Sequence, residues 1–277
     1  GMAENAQAEK ATPVKSIILV AHRGGKPDNT EEAIKHAIEV GVTAVEMDLR
    51  LTADRKLVLS HDPSLPRRKF FPNASPEERI VIAKTSSDEL SSLRYSEEID
   101  GTKFTDLRIP FFEDMMLKYL PLVNFDLHIA DETPPDLVFG LLDKHNAWSR
   151  VIIHSGDLET LKKARNASPQ ASLLWPLGML GRSQEAGKYG VPLPLEEQKK
   201  DFECAAEKLA AIGGGIICVK VLSPELLDLC HKRGILVMPS VYEVEDGAAE
   251  EWLILNVDAV LGNSPENMRQ GVERLFG

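Results

Sequence analysis

From residue 16 to residue 262, short and almost continuously apolar runs alternate with longer stretches of 3.6-residue period. That rhythm restricts the fold more than any other feature. Strand-like runs occupy 16–22, 44–51, 57–61, 122–129, 150–154, 172–175, 215–221, 235–241 and 258–262. Runs apolar on both faces are how strands read when helices cover the sheet on both sides. Helical patterns fill 30–41, 134–146, 157–167, 194–213, 223–234 and 245–256, the first with Thr30 as N-cap and Gly41 as terminator. Such alternation implies parallel strands joined by crossover helices. Only five residues separate 44–51 from 57–61, too few for a crossover, so these two form a hairpin. Setting the hairpin's return strand aside leaves eight, the number of an α/β (β/α)8 TIM barrel; an open doubly wound sheet is the rival. Residues 62–112 break the rhythm with Pro, Arg and aromatics. They are expected to form a small irregular insertion with one short helix near 87–95, placed between the early hairpin and the later strands. The expected organisation is a disordered segment over 1–14 and a single domain over 15–277.

Charge narrows the partners. Acidic residues outnumber basic ones 43 to 32, for a net charge of -11. That argues against nucleic acid or an anionic membrane surface and leaves room for a cation. A small anionic substrate then needs local positive charge. No apolar run approaches the length of a membrane span. Cys204, Cys218 and Cys230 are far apart and read as free thiols. Gly1 ahead of Met2 reads as a cloning remnant, so the expected compartment is cytoplasmic if Met2 is the native start. It is periplasmic or secreted if a signal peptide has been removed. The oligomeric state stays open.

The stretch "AVEMDLRLTADRKLVLSHD" (44–62) places two acids inside an apolar strand. Glu46 and Asp48 share a face because side chains alternate along a strand. A turn centred on Asp54 and Arg55 sets Asp48 opposite His61 and gathers Glu46, Asp48 and His61 on one side. His22 and Arg23 end the first strand, where barrel enzymes place their active sites. Asp126 adds a third carboxylate on 122–129, with His128 two residues on. Oxygen-rich ligand sets of this kind suit Mg2+ or Ca2+. Arg23 suits a phosphate oxygen, and His22 with His61 suits a general acid–base pair. Lys220 ends the run 215–221 and is placed either to reach a substrate phosphate or to lie on the surface. Trp175 is placed either to wall the substrate pocket or to fill the core. Asp62 is expected to orient either the hairpin or a catalytic histidine without taking part directly, and His36, His145, His154 and His231 to be structural.

Residues 22–65, "HRGGKPDNTEEAIKHAIEVGVTAVEMDLRLTADRKLVLSHDPSL", resemble the opening signature of the glycerophosphodiester phosphodiesterase family. That signature runs H-R-G, P-E-N-T, E-x-D, T-x-D and H-D. Further on, "IPFFEDMM" is similar to the family's P-x-L-E-E-x-L, and "VDAVLGNSPENM" to its V-D-G-I-x-T-D-x-P. The resemblance implies a (β/α)8 barrel, a divalent metal, and cleavage of a glycerophosphodiester to sn-glycerol 3-phosphate and an alcohol, a step of lipid and glycerol metabolism. It assigns His22 and His61 to catalysis, Glu46 and Asp48 to the metal, and Arg23 to the phosphate. The chain departs from the pattern in four places. Asp28 replaces Glu in P-E-N-T. Asp126 and His128 stand in N-x-E-x-K, with Asp126 the expected third metal ligand and His128 the expected substrate contact. Residues 262–265 replace T-D-x-P, and the tryptophan of the late V-W-T-V strand is absent. An Asp at the third ligand position resembles phospholipase D-like sphingomyelinases. Two alternatives therefore stand beside the hydrolase: a noncatalytic phosphate-binding barrel, and a lipid phosphodiesterase marked by an apolar rim on 62–112.

Overall fold

The computed structural model describes residues 17–96, 98, 101–184, 190–241 and 253–276. The segment expected to be disordered over 1–14, and most of the helix expected over 245–256, lie outside the described residues. Eight parallel strands alternate with helices, giving the (β/α)8 barrel fold. The chain divides into two compact units, one spanning Ala21–Ile153 and one combining the residues before and after it.

The unit over 21–153 carries the acids. Its strands are β2 (Ala44–Leu51), β3 (Leu57–Leu59), β4 (Ser64–Pro66), β5 (Arg79–Val81) and β6 (Asn124–Ile129). The strand β1 (Ile18–Ala21) leads into it, and β7 (Val151–His154) closes it with the order β7-β6-β2-β3. Helix α1 (Glu31–Val40) starts as its sequence dictates. The Thr30 hydroxyl accepts from the Ala33 N–H at 3.2 Å and donates to the Pro27 carbonyl at 2.6 Å. Gly41 ends it in the left-handed conformation at φ 92°.

Two sequence expectations need correction here. The hairpin register is one residue off the expected one: Leu51 pairs with Leu57 and Leu49 with Leu59, so Asp48 faces Ser60. The cause is a three-residue loop rather than two. Arg55 is left-handed at φ 63°, and the Thr52 hydroxyl accepts from the Lys56 N–H at 2.9 Å, which centres the turn on Asp54. The insertion is also more ordered than its composition suggested. β4 and β5 pair antiparallel, α2 (Ser87–Ser92) follows, and Leu65, Phe70, Ile80, Ile82, Leu90, Leu93 and Ile109 pack into their own core with Val58. The helices α3 (Phe112–Tyr119) and, at the chain end, α8 (Pro265–Phe276) had no counterpart among the helical patterns. Helix α4 (Pro135–Lys144) had one, over 134–146.

The other unit repeats the βα rhythm: α5 (Leu158–Ala167), β8 (Ser172–Pro176), the short pair β9 (Arg182–Ser183) and β10 (Val191–Pro192), then α6 (Leu195–Ala210). β11 (Ile216–Val219), α7 (Pro224–His231), β12 (Leu236–Val241) and β13 (Ala259–Gly262) complete it. β8, β11, β12 and β13 pair in parallel in that order. Among the described residues no helix is long and apolar enough to cross a membrane.

Because the Thr30 hydroxyl is buried with both hydrogen bonds made, Thr30→Ala is expected to cost about 1–2 kcal/mol of stability. Urea unfolding measures it, and Thr30→Ser should recover most of the loss.

Candidate active site

The site is built on two neighbouring strands. β2 and β6 run parallel with Glu46 beside Asp126 and Asp48 beside His128. Alternation puts all four on one face, as a two-by-two array about one strand spacing wide. Glu46, Asp48 and Asp126 are 1%, 4% and 0% exposed. Three acids this deep are costly unless paired or bridged by a cation.

Their surroundings supply some pairing. After β1 the chain makes a tight turn over His22–Gly24. Arg23 sits there in the left-handed region at φ 53°, uncommon for a side-chain-bearing residue. That conformation aims its backbone N–H at Glu46 Oε2, 2.6 Å away, while its Nε lies 3.7 Å from Asp48 Oδ2 and its Nη1 3.7 Å from Asp28. Gly24 follows at φ 80°, and a Cβ there would meet the Ala33 Cβ at 3.2 Å, so glycine lets the turn sit tightly on α1. His22 Nε2 stands 4.0 Å from Glu46 Oε2. His128 Nδ1 lies 3.0 Å from Asp48 Oδ1 and 3.7 Å from Glu46 Oε1.

Asn29 was missed at the sequence level. Its amide nitrogen donates to Asp48 Oδ2 at 3.0 Å and its amide oxygen accepts from the Asp48 N–H at 3.1 Å. Its left-handed φ of 54° is a conformation asparagine tolerates, and the sequence signal was limited to an Asn directly ahead of the Thr30 N-cap.

His61 reaches the site by another route than strand pairing. It lies two residues beyond the end of β3. Arg50 donates from Nε to the His61 carbonyl at 2.9 Å and from Nη2 as well, and anchors itself on Glu132 at 3.0 Å. Asp62 Oδ1 lies 3.0 Å from His61 Nδ1, which leaves Nε2 for other partners. The His61 charge is felt at Asp48.

These fields separate the two acids of β2. Burial pushes the Glu46 carboxyl well above its ordinary range, and the charges of Asp48 and Asp126 push it further. Burial also acts upward on Asp48, but hydrogen bonds from His128 and Asn29 and the charges of His128 and His61 outweigh it and bring it to about 2.

Glu46, Asp48 and His128 each offer one ligand atom, and these atoms lie within 4.8 Å of one another. Two carboxylate oxygens and an imidazole nitrogen are a donor set that fits a divalent cation. Asp126 flanks this group through Glu46. Lys220 and Trp175 belong to the other unit. Lys220 follows β11 with Nζ 3.2 Å from the Ser240 hydroxyl, and Trp175 on β8 donates to the Gly156 carbonyl at 3.3 Å. His145 and His231 bind Glu113 and Asp258 at 2.8 and 2.7 Å.

Fold and site together define a phosphoric diester hydrolase. The chain belongs to the glycerophosphoryl diester phosphodiesterase family, whose model matches residues 22–267. A glycerophosphodiester phosphodiesterase of Caldanaerobacter subterraneus subsp. tengcongensis is 26% identical over 262 residues, covering 91% of this chain and 96% of that protein. Solved structures share the fold. A glycerophosphodiester phosphodiesterase of Agrobacterium tumefaciens str. C58 matches at TM-score 0.71 and 16% identity, over 92% of this chain and 100% of that one. A phosphodiesterase of Oleispira antarctica, solved in complex with the product sn-glycerol-3-phosphate, matches at TM-score 0.68 and 18% identity, over 92% and 96%.

Folding holds the Glu46 proton more tightly than the unfolded chain does. Its contribution to stability is therefore full below its ordinary pKa of 4.5 and is lost as pH rises through the higher folded value. Glu46→Gln should raise the melting temperature of the metal-free protein at pH 8 and give no gain at pH 4. Melting curves in EDTA at the two pH values check it.

Proposed function

We propose that the protein hydrolyses glycerophosphodiesters to sn-glycerol 3-phosphate and an alcohol, with His22 and His61 as general acid and base and a divalent cation, Mg2+ or Ca2+, as cofactor. The observation that supports this reading most is the array of Glu46, Asp48, Asp126 and His128 on one face, with His22 Nε2 4.0 Å from Glu46 and His61 lining the adjoining cavity with Arg23 and Asn29. A pure binding barrel gains little from an acid–base pair of histidines.

Glu46 and Asp48 would hold the cation, with His128 and Asp126 beside them. Bound there, it supplies Lewis-acid polarisation of a phosphate oxygen. Arg23 would place its charge and N–H donors toward the remaining phosphate oxygens, and His128, whose Nδ1 faces Asp48, would offer them its other ring nitrogen. One histidine takes the proton of the attacking hydroxyl, from water or from the glycerol moiety itself. The P–O bond to the alcohol breaks, and the other histidine gives its proton to the departing oxygen. Asp62, at 3.0 Å from His61 Nδ1, fixes which ring nitrogen faces the substrate. If the glycerol hydroxyl attacks first, a cyclic diester forms and water opens it with the histidine roles exchanged. Substrate contacts from Lys220 and Trp175 are part of the proposal and rest on their sequence positions. The lipid alternative gains no support from the insertion. Its large apolar side chains turn inward, and among its described residues only Phe71 is an exposed large hydrophobic, with the Arg67 guanidinium 4.5 Å above its ring.

His22→Ala and His61→Ala are each expected to lower kcat on glycerophosphocholine by about 10^3-fold or more with folding intact. EDTA should abolish turnover and Mg2+ or Ca2+ restore it. Release of sn-glycerol 3-phosphate, followed by a coupled assay over glycerophosphocholine, glycerophosphoethanolamine and a lysophospholipid, is the measurement. Full activity in EDTA contradicts the metal, full activity of either histidine variant contradicts the mechanism, and preference for the lysophospholipid contradicts the substrate class.

A further inference from the structure

A cavity of about 170 Å3 opens beside the acid cluster, within the same unit. Arg23, Asn29 and His61 form one side of it, and Lys69 and Tyr95 from the insertion form the other. The far wall is built firmly. Phe70 and Tyr95 stack with ring centroids 4.5 Å apart, and Ser96 donates to the Lys69 carbonyl from its N–H at 2.9 Å and its hydroxyl at 3.1 Å. This cavity touches His61 and so lies where one side of a diester would sit if His61 takes part in proton transfer.

The charges lining it decide which side chain of the substrate it suits. Arg23 makes only 3.7 Å ion pairs with Asp28 and Asp48, and its buried Nε has no hydrogen-bond partner among the described residues, which leaves it for the phosphate rather than for the alcohol. Asp62 is engaged with His61. Asp28 and Asp62 are also 58% and 60% exposed, so water screens what remains of their charge. Among the described residues, the half-buried Lys69 ammonium has no hydrogen bond or ion pair. It is a donor-rich cation lining a polar cavity, with no side-chain hydrogen bond made among the described residues.

We propose that this cavity is the subsite for the alcohol moiety and that Lys69 selects diesters whose alcohol is a polyol or carries negative charge. The inference rests on the diesterase reading above. An ammonium group donates to hydroxyl or anionic oxygens of such an alcohol. Against choline it finds no acceptor, and it repels the quaternary cation. Lys69 acts here as a specificity-determining residue, apart from the atoms that react.

The experiment compares kcat/KM for glycerophosphoglycerol and glycerophosphocholine in the wild type, Lys69→Met and Lys69→Glu, with thermal melting as the folding control. The wild type should favour glycerophosphoglycerol. Lys69→Met should lower that ratio about threefold, and Lys69→Glu about tenfold or more, through loss of the choline penalty as well as of the polyol contact. A ratio unchanged in both variants overturns the inference. An equal fall on both substrates overturns it too, since Lys69 would then serve the phosphate they share. If the wild type cleaves neither substrate, the diesterase reading itself fails, an outcome distinct from an unmoved ratio.

Discussion

The in-register parallel pairing of β2 with β6 is the constraint from which the site follows. Two E-x-D and D-x-H tripeptide patterns on adjacent strands, aligned residue for residue, leave no freedom in where their side chains go. A slip of one residue in either strand would send half the array to the opposite face. Register is protected by what surrounds it: Val45, Met47 and Leu49 alternate with the acids on β2, and Phe125, Leu127 and Ile129 do so on β6, all buried. The hydrophobic half of each strand thus fixes the polar half. The charged half is a local cost that the apolar half offsets.

The remaining parts are tied to this array by the backbone rather than by long side chains. The left-handed Arg23 presents a main-chain N–H to Glu46, and the Asp48 N–H donates to Asn29. Main-chain donors of this kind lose little entropy on engagement and hold a carboxylate at a set angle. His61 is the exception, fastened through its own carbonyl by Arg50 from β2. The hairpin tip is fastened in turn to the insertion: Asp54 accepts from the Ser87 hydroxyl, from the Thr52 hydroxyl at 2.7 Å and from the Ser87 N–H at 2.8 Å, bonds that hold its carboxyl at about 2. Insertion, hairpin and acid array therefore form one mechanical chain, in which the insertion supplies the far wall of the cavity at His61.

Much of this was legible in the residues themselves. The βα rhythm gave the barrel because buried parallel strands leave a continuous apolar trace. Glu46 and Asp48 declared themselves because acids are rare in such a trace. His61 was expected opposite Asp48 by a pairing the protein does not use, and Ser60 stands there instead. A left-handed Arg55 lengthens the loop, and nothing about arginine announces a positive φ. Asn29 hid inside a turn where its amide looked like ordinary loop polarity. The insertion looked irregular because its core is assembled from side chains scattered between residues 58 and 109 with no period. Lys69 is legible only once that core folds and sets it across from Arg23. Helix α8 was passed over because its apolar face, with Met268 and Gly271 buried, is narrow and lies among charged residues.

Diffraction from crystals soaked in Mn2+, collected at the manganese edge, tests the central claim most directly. The account predicts one anomalous peak between Glu46, Asp48 and His128, at roughly 2.0–2.4 Å from the ligand atoms. A map with no peak there, at a metal concentration that supports turnover, would contradict it.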